Sequence, residues 1–131
     1  MEAATTPNTG AVRVLIADDE PLFVEMVQAL LDRDERVEVV GTAGDGKMAV
    51  ELALALAPDV ILMDISMPFL DGIEATRRIR EHHPTACILV LTGSSISADI
   101  DRSRQAGVAG FLTKDRIGTQ LVDAILDLGS R

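Results

Sequence analysis

The chain has 131 residues, 47% of them hydrophobic, which is long enough to bury one sizeable core and too short for two ordinary domains. Its formal net charge of −9 at pH 7 gives a surface that repels phosphate backbones, so we expect this domain to make no direct contact with nucleic acid. No apolar run approaches the ~20 residues that span a bilayer, and residues 1–10 lack a basic region followed by an apolar one, so we expect a cytoplasmic protein without membrane contact.

The first 11 residues are small, polar and rich in threonine, with Pro7 and Gly10 among them. Such a composition buries too little apolar surface to offset the entropy of ordering, so residues 1–11 are predicted to be a disordered tail. Residues 12–131 are predicted to form one domain. Cys87 is the single cysteine and lies in an apolar segment, which excludes an internal disulfide and favours a buried, reduced thiol.

From Val12 onward, short segments rich in Val, Ile or Leu alternate with longer segments of helical period, which is typical of βα units on a parallel sheet. The predicted strands are Val12–Ala17, Val37–Thr42, Val60–Asp64, Cys87–Thr92 and Gly110–Thr113. Apolar residues at three- and four-residue steps indicate helices over Leu22–Leu31 and Met48–Leu56. Three more helices are predicted over Gly72–His82, Ala98–Gln105 and Thr119–Leu128, with Gly107 and Gly129 at helix C-caps. The fold class is therefore α/β.

Polar side chains stand at the ends of four predicted strands: Asp18 and Asp19, Asp64, Thr92, and Thr113 with Lys114. In an open parallel sheet these ends share one edge, and ligands bind there. Three carboxylates so close repel one another unless a cation intervenes, and hard oxygen ligands select Mg²⁺. Singly, an aspartate could cap a helix and Lys114 could be a solvated charge. The whole set, in this order, favours a magnesium site.

With these residues in place, the chain resembles the receiver domain of bacterial two-component response regulators from Val12 to Leu128. Asp18 and Asp19 match the family's acidic pair, Asp64 its phosphoacceptor, Thr92 its hydroxyl switch residue, Phe111 its aromatic switch position and Lys114 its lysine. Residues 67–72 are similar to the family's Met-Pro-x-x-Asp-Gly loop. The segment QAGVAGFLTKD, residues 105–115, is similar to receivers of the NarL and LuxR type, which precede a helix-turn-helix output domain.

The resemblance implies a single doubly wound, flavodoxin-like (βα)5 domain with a parallel sheet of order 2-1-3-4-5. It implies that a sensor histidine kinase donates a phosphoryl group to Asp64, with Lys114 and Thr92 as its catalytic partners. It also implies that Asp19, Asp64 and the backbone carbonyl of Ser66 bind Mg²⁺ directly, with Asp18 acting through coordinated water. Such a domain catalyses its own phosphorylation and slow dephosphorylation, whose rate Ser66 and Ser94 would tune.

The resemblance further implies that Thr92 and Phe111 form a switch that remodels the surface of the fourth helix, fifth strand and fifth helix. A partner or a second copy of the chain, in a homodimer, would read that change. Kinase specificity is expected on the first helix, near Leu22 to Met26. We expect a fragment of a DNA-binding regulator whose output domain is absent from this chain, and a stand-alone regulator is the alternative.

Other interpretations stay open at this point. A phosphorylation-independent interaction domain that retained the pocket is the nearest alternative. A phosphatase of the haloacid dehalogenase type also uses a strand-end Asp with Mg²⁺, but usually needs a second Asp where this chain has Ser66. A flavin-binding module fits on fold grounds alone, and the chain lacks Trp and Tyr.

Two details near the ends of predicted elements carry further expectations. His82 and His83 end the third predicted helix beside Pro84, where cationic residues stabilise exposed carbonyls, so we expect no phosphotransfer by either. Many receivers have proline after the lysine, whereas Lys114 is followed by Asp115. A trans peptide bond is expected there, because a cis bond to a residue other than proline costs about 2.5–4 kcal/mol.

Overall fold

Among the described residues, the parallel sheet has five strands, and their bounds follow the apolar runs of the sequence. The computed structural model describes residues 10–65, 67, 69–93 and 97–129, with the backbone alone for 97–99. The strands are β1 (Val12–Ala17), β2 (Val37–Ala43), β3 (Val60–Asp64), β4 (Cys87–Thr92) and β5 (Gly110–Thr113). They lie in the order β2-β1-β3-β4-β5, and every pair is parallel. The predicted fold class and sheet order are therefore confirmed.

In the part of the chain that the structure describes, five helices connect and flank the strands. They are α1 (Pro21–Leu31), α2 (Gly46–Leu56), α3 (Gly72–His82), α4 (Ser97–Ala106) and α5 (Ile117–Gly129), and a short 3-10 helix spans Lys114–Arg116. The bounds predicted for α3 are confirmed, whereas α4 extends the predicted helix by one residue at each end. Helix α5 begins two residues before the predicted Thr119, because the 3-10 turn leads directly into it. The predicted tail lies outside the described residues up to position 9.

The core lies on both faces of the sheet, as the apolar runs of the central strands require. Every residue of β3 is buried. Ile61 and Met63 point to the face covered by α2, α3 and the end of α4, whereas Leu62 points to the face covered by α1 and α5. Packing on both faces fixes the strands rigidly, so their carboxyl ends form a firm edge for a site.

The two glycines predicted as helix caps behave differently. Gly107 follows α4 with a φ of 96°, a left-handed conformation that glycine adopts without strain, as predicted. The prediction for Gly129 is wrong, because this residue is the last of α5 and is not in the left-handed region. A Cβ at position 129 would lie 2.5 Å from Cγ1 of Val12, so close packing against β1 accounts for glycine there.

Helix α2 ends in a left-handed residue that the sequence did not indicate. Ala57 has φ 47° and ψ 58°, and its N–H donates to the Ala53 carbonyl at 3.0 Å. We expect Ala57→Gly to raise the unfolding free energy by about 0.5–1 kcal/mol, because glycine lacks the Cβ that disfavours this conformation. Ala55→Gly, at an exposed position within the same helix, should lower the unfolding free energy by about 0.5–1 kcal/mol. Urea denaturation measures both, and a loss of stability in both variants would contradict the argument.

Candidate functional site

Three carboxylates meet at the carboxyl edge of the sheet. Asp18 and Asp19 directly follow β1, and Asp64 ends β3, the strand that pairs with β1. Because Ala17 is the register partner of Met63, the next residue of each strand stands at the same level. One carboxylate oxygen from each of the three lies within 4.8 Å of the others. The side chains of Asp18 and Asp64 are buried, whereas Asp19 is exposed and gives access from solvent.

The two carboxylate oxygens of Asp18 differ in their hydrogen bonding. Its N–H donates to the Ala43 carbonyl at 2.9 Å, and its Oδ1 accepts from the N–H of Glu20 at 2.9 Å. Its buried Oδ2 has no aligned hydrogen-bond donor among the described residues. The ammonium of Lys114 lies 2.8 Å from this oxygen as an ion pair. A buried carboxylate oxygen beside two further carboxylates is the donor set that fits a hard divalent cation such as Mg²⁺.

Lys114 brings a positive charge to the carboxylates. It follows β5, and its Nζ lies 3.8 Å from Asp64 Oδ1 and 2.9 Å from Glu20 Oε1. Burial alone lowers the pKa of Lys114, but close contacts with Asp18 and Glu20 and the charge of Asp64 outweigh burial, so the pKa is raised. The side chain therefore carries its charge at neutral pH. The Lys114–Asp115 peptide bond is trans, as expected.

Two neighbours of Lys114 were missed by sequence reasoning. Glu20 directly follows the acidic pair, and the ring of Phe23 lies with its centroid 4.3 Å from Lys114 Nζ. Phe23 lies within the first predicted helix, Leu22–Leu31, and it packs partly buried against the core. Its position directly after Asp18 and Asp19 in the sequence was the one signal that Glu20 lies near the site. Contact with an ammonium 94 residues away in the chain could not be read from spacing.

The loop after Asp64 is held by two glycines that approach the backbone closely. Gly72 opens α3 and donates its N–H to the Ile65 carbonyl at 2.8 Å, and a Cβ there would lie 2.0 Å from the carbonyl oxygen of Asp64. Gly46 opens α2, and a Cβ there would lie 1.8 Å from the carbonyl oxygen of Leu70. Asp71 caps α3 by accepting from the N–H of Glu74 at 2.9 Å. The Asp-Gly pair therefore starts α3 directly beside Asp64.

Thr92 and Phe111 lie on the neighbouring strands of the same edge. Thr92 ends β4 and is buried, one residue beyond Leu91, the register partner of Asp64. Phe111 lies in β5 opposite Val90 and is half-buried, with the guanidinium carbon of Arg104 5.7 Å from its ring centroid. An open cavity of about 670 Å³ borders Phe111 between β5 and α5. Phe111 therefore borders open space at this edge of the sheet.

Of the other residues considered from the sequence, His82, His83 and Cys87 lie away from the carboxyl edge of the sheet. Ser66 and Ser94 lie outside the described residues. His83 borders a cavity with Pro58 and Cys87, at the edge where β3 and β4 begin, opposite the carboxylates. His82 Nδ1 lies 3.1 Å from the Arg78 carbonyl on the exposed end of α3. The expectation of a buried thiol is wrong, because Cys87 is half-buried at the start of β4.

The chain is similar to known proteins over nearly its whole length. A family model for the response regulator receiver domain matches residues 14–126. The chain is 39% identical over 123 residues to a probable transcriptional regulatory protein NarL of Mycobacterium tuberculosis, covering 94% of this chain and 57% of that protein. It is 42% identical over 125 residues to a protein-glutamate methylesterase/protein-glutamine glutaminase of Shewanella frigidimarina, covering 92% of this chain and 31% of that protein.

Solved structures agree with this similarity. The signal receiver domain of NarL from Mycobacterium tuberculosis superposes with a TM-score of 0.87 at 39% identity, covering 92% of this chain and 97% of that one. The response regulator domain of Thermotoga maritima CheB gives a TM-score of 0.85 at 29% identity, with coverages of 92% and 98%. The chain spans about half the length of the transcriptional regulatory proteins it matches. Across residues 10–65, 67, 69–93 and 97–129, the helices fall short of the length and apolarity that a membrane crossing requires.

Proposed function

This chain belongs to the response regulator receiver domain family, and from that premise we propose that Asp64 accepts a phosphoryl group from a phosphohistidine on a sensor histidine kinase. The observation that carries the proposal is the set of charged groups around Asp64. Its side chain is buried at the carboxyl edge of the sheet, within 4.8 Å of the Asp18 and Asp19 oxygens and 3.8 Å from the Lys114 ammonium. Such an arrangement suits a charged phosphoryl group better than an apolar ligand.

The transfer is a nucleophilic substitution at phosphorus. A carboxylate oxygen of Asp64 forms a new P–O bond while the P–N bond of the phosphohistidine breaks, and its electron pair returns to the imidazole nitrogen. Lys114 and Thr92 contact the phosphoryl oxygens of the acyl phosphate and stabilise their charge. Attack of water on the phosphorus later releases inorganic phosphate and restores the Asp64 carboxylate. The domain thus catalyses its own phosphorylation and its slow dephosphorylation.

The family generally binds Mg²⁺ at an acidic pocket, and Asp18, Asp19 and Asp64 form such a pocket here. We propose that Asp19, Asp64 and the backbone carbonyl of Ser66 hold the ion directly and that Asp18 acts through coordinated water. When bound, the ion neutralises charge on the transferring phosphoryl oxygens. Among the described residues, the Lys114 ammonium also supplies positive charge at short range, 2.8 Å from Asp18 Oδ2 and 3.8 Å from Asp64 Oδ1.

Phosphorylation is proposed to act through Thr92 and Phe111. The phosphoryl oxygens are new acceptors for the Thr92 hydroxyl, and movement of that side chain inward leaves space for the Phe111 ring. Departure of the ring from its position beside Arg104 changes the surface of α4, β5 and α5. A downstream domain, a partner or a second copy of the chain in a homodimer reads the changed surface.

Two partners follow from this proposal. Helix α1 carries Leu22 and Met26, two exposed apolar side chains four residues apart, with exposed fractions of 81% and 50%, and we propose that the kinase docks on them. The output is proposed to be a DNA-binding domain in the full-length protein, because several similar proteins are named as transcriptional regulatory proteins. A methylesterase output is the second candidate, which the similarity to the Shewanella protein favours.

The proposal is tested by intact mass after incubation with Mg²⁺ and acetyl phosphate. We expect the wild type to gain the mass of one phosphoryl group, and we expect no gain after chelation of Mg²⁺ or in Asp64→Asn. Asp32→Asn, which removes an exposed carboxylate at the end of α1, should gain mass like the wild type. If neither the wild type nor Asp64→Asn gains mass, the domain acts through phosphorylation-independent binding.

A further inference from the structure

We propose that Glu20 is a positioning residue for Lys114: its carboxylate holds the ammonium away from Asp64 and so limits the rate at which Asp64 is phosphorylated. The inference rests on the proposed function, since it concerns the same phosphoacceptor site. The Lys114 ammonium donates to Glu20 Oε1 at 2.9 Å, across 94 positions of the chain. Glu20 is neither one of the predicted magnesium-binding residues nor part of the predicted switch of Thr92 and Phe111.

The ammonium of Lys114 lies closer to the start of α1 than to the phosphoacceptor. Its Nζ is 2.8 Å from Asp18 Oδ2 and 2.9 Å from Glu20 Oε1, but 3.8 Å from Asp64 Oδ1. The ring centroid of Phe23, in the first turn of α1, is 4.3 Å away, and an aromatic face attracts a cation at this distance. Glu20 and Phe23 therefore add two attractive contacts that draw the ammonium toward α1.

The side chain of Glu20 is not used by its own helix. Glu20 is the N-cap of α1, but it makes no side-chain capping hydrogen bond, which Ser, Thr, Asp or Asn would make at this position. Pro21 follows it and needs no N–H partner. The Glu20 side chain is 65% exposed, so it fills no space in the core. The Glu20 side chain thus neither caps the helix nor fills the core. Its contact is with Lys114.

Lys114 must give up part of this arrangement to reach a phosphoryl group on Asp64. An ammonium has three donors, and two carboxylates already lie within 3 Å of it. Asp18 belongs to the carboxylate cluster, where its charge is shared with Asp19 and Asp64. Glu20 lies outside that cluster and competes with the phosphoryl oxygens for the same ammonium. Removal of its charge should therefore speed phosphorylation.

The test compares Glu20→Gln with the wild type in two measurements. The rate of phosphorylation by acetyl phosphate with Mg²⁺ should rise about two- to fivefold, the ratio that one exposed ion pair supplies. In metal-free protein, acylation of Lys114 by a limiting amine-reactive ester, followed by peptide mass, should also become faster. Glu51→Gln removes the same charge from an exposed position on α2 and should leave both rates unchanged. Glu20→Ser restores a capping side chain to α1, so it should be at least as stable as the wild type and still faster.

A double variant separates positioning from a general effect of charge. In the Lys114→Ala background, Glu20→Gln should no longer change the phosphorylation rate, since the residue through which Glu20 acts is gone. An unchanged or lower rate in Glu20→Gln overturns the inference, as does an equal gain in Glu51→Gln or in the Lys114→Ala background. Absence of phosphorylation in the wild type overturns the proposed function instead.

Discussion

Replacement of Gly72 with alanine is expected to lower the free energy of unfolding by about 3 kcal/mol and to slow phosphorylation of Asp64 roughly 100-fold. A Cβ at position 72 would lie 2.0 Å from the carbonyl oxygen of Asp64 and 2.9 Å from its carbonyl carbon. Both atoms belong to the backbone at the end of a fully buried strand, so they have no room to move away. The start of α3 must shift instead, which displaces the loop that leaves Asp64.

The same variant breaks a second contact that orients the site. The N–H of Gly72 donates to the Ile65 carbonyl at 2.8 Å, and a shift of α3 lengthens this bond. Since Ile65 directly follows the phosphoacceptor, the Asp64 carboxylate moves with it, and a misplacement of about 1 Å can slow a reaction about 100-fold. The sequence predicted only that a helix begins at Gly72, so the size of this effect follows from the structure.

Urea denaturation and the rate of acetyl phosphate labelling measure the two effects of Gly72→Ala. Gly118→Ala is the matched control, because a Cβ built at this position near the start of α5 meets nothing within 4 Å apart from its chain neighbours and the backbone of its own helix. Alanine there should raise the stability by about 0.5–1 kcal/mol and leave labelling unchanged. If Gly72→Ala is as stable as the wild type, the prediction is wrong, and the backbone at the end of β3 can move to make room for the Cβ.

The strands were predictable because a parallel sheet covered on both faces demands continuous apolar runs. Val60–Asp64 and Cys87–Thr92 could be read residue by residue for this reason. The start of α5 could not, since the 3-10 turn at Lys114–Arg116 carries no apolar period. The left-handed end of α2 was also missed, because Ala57 has none of the conformational freedom that marks glycine at such positions.

The acidic edge was predictable for a topological reason. Asp18, Asp19 and Asp64 end strands that lie side by side, and strand ends are visible in the sequence. The surroundings of Lys114 depend instead on how a long side chain crosses from β5 to the start of α1. Contacts with Glu20 and Phe23 join elements at opposite ends of the chain and need three-dimensional distances. Sequence thus indicates which groups act, and the structure indicates which neighbours tune them.

Lys114→Ala is expected to slow phosphorylation by acetyl phosphate about 100- to 1000-fold, the usual cost of removing one group that stabilises transition-state charge. Any acyl phosphate that forms should also fail to change the α4-β5-α5 surface, since the ammonium no longer draws the phosphoryl group toward β5. The rate is measured by intact mass over time. Lys47→Ala, which removes an exposed charge from α2, should keep the wild-type rate.

The same variant should respond more strongly to Mg²⁺ than the wild type. Without the ammonium, the buried Oδ2 of Asp18 loses the cation that lies 2.8 Å away, and Asp64 loses the one at 3.8 Å. Metal-free Lys114→Ala should therefore be less stable by about 1–3 kcal/mol, less than for a fully buried pair because Lys114 is partly exposed. Mg²⁺ no longer competes with the ammonium, so it should raise the Tm of the variant by more than that of the wild type. A smaller Mg²⁺-dependent rise in the variant would mean that Lys114 helps to assemble the metal site, since a competing ammonium predicts the opposite order.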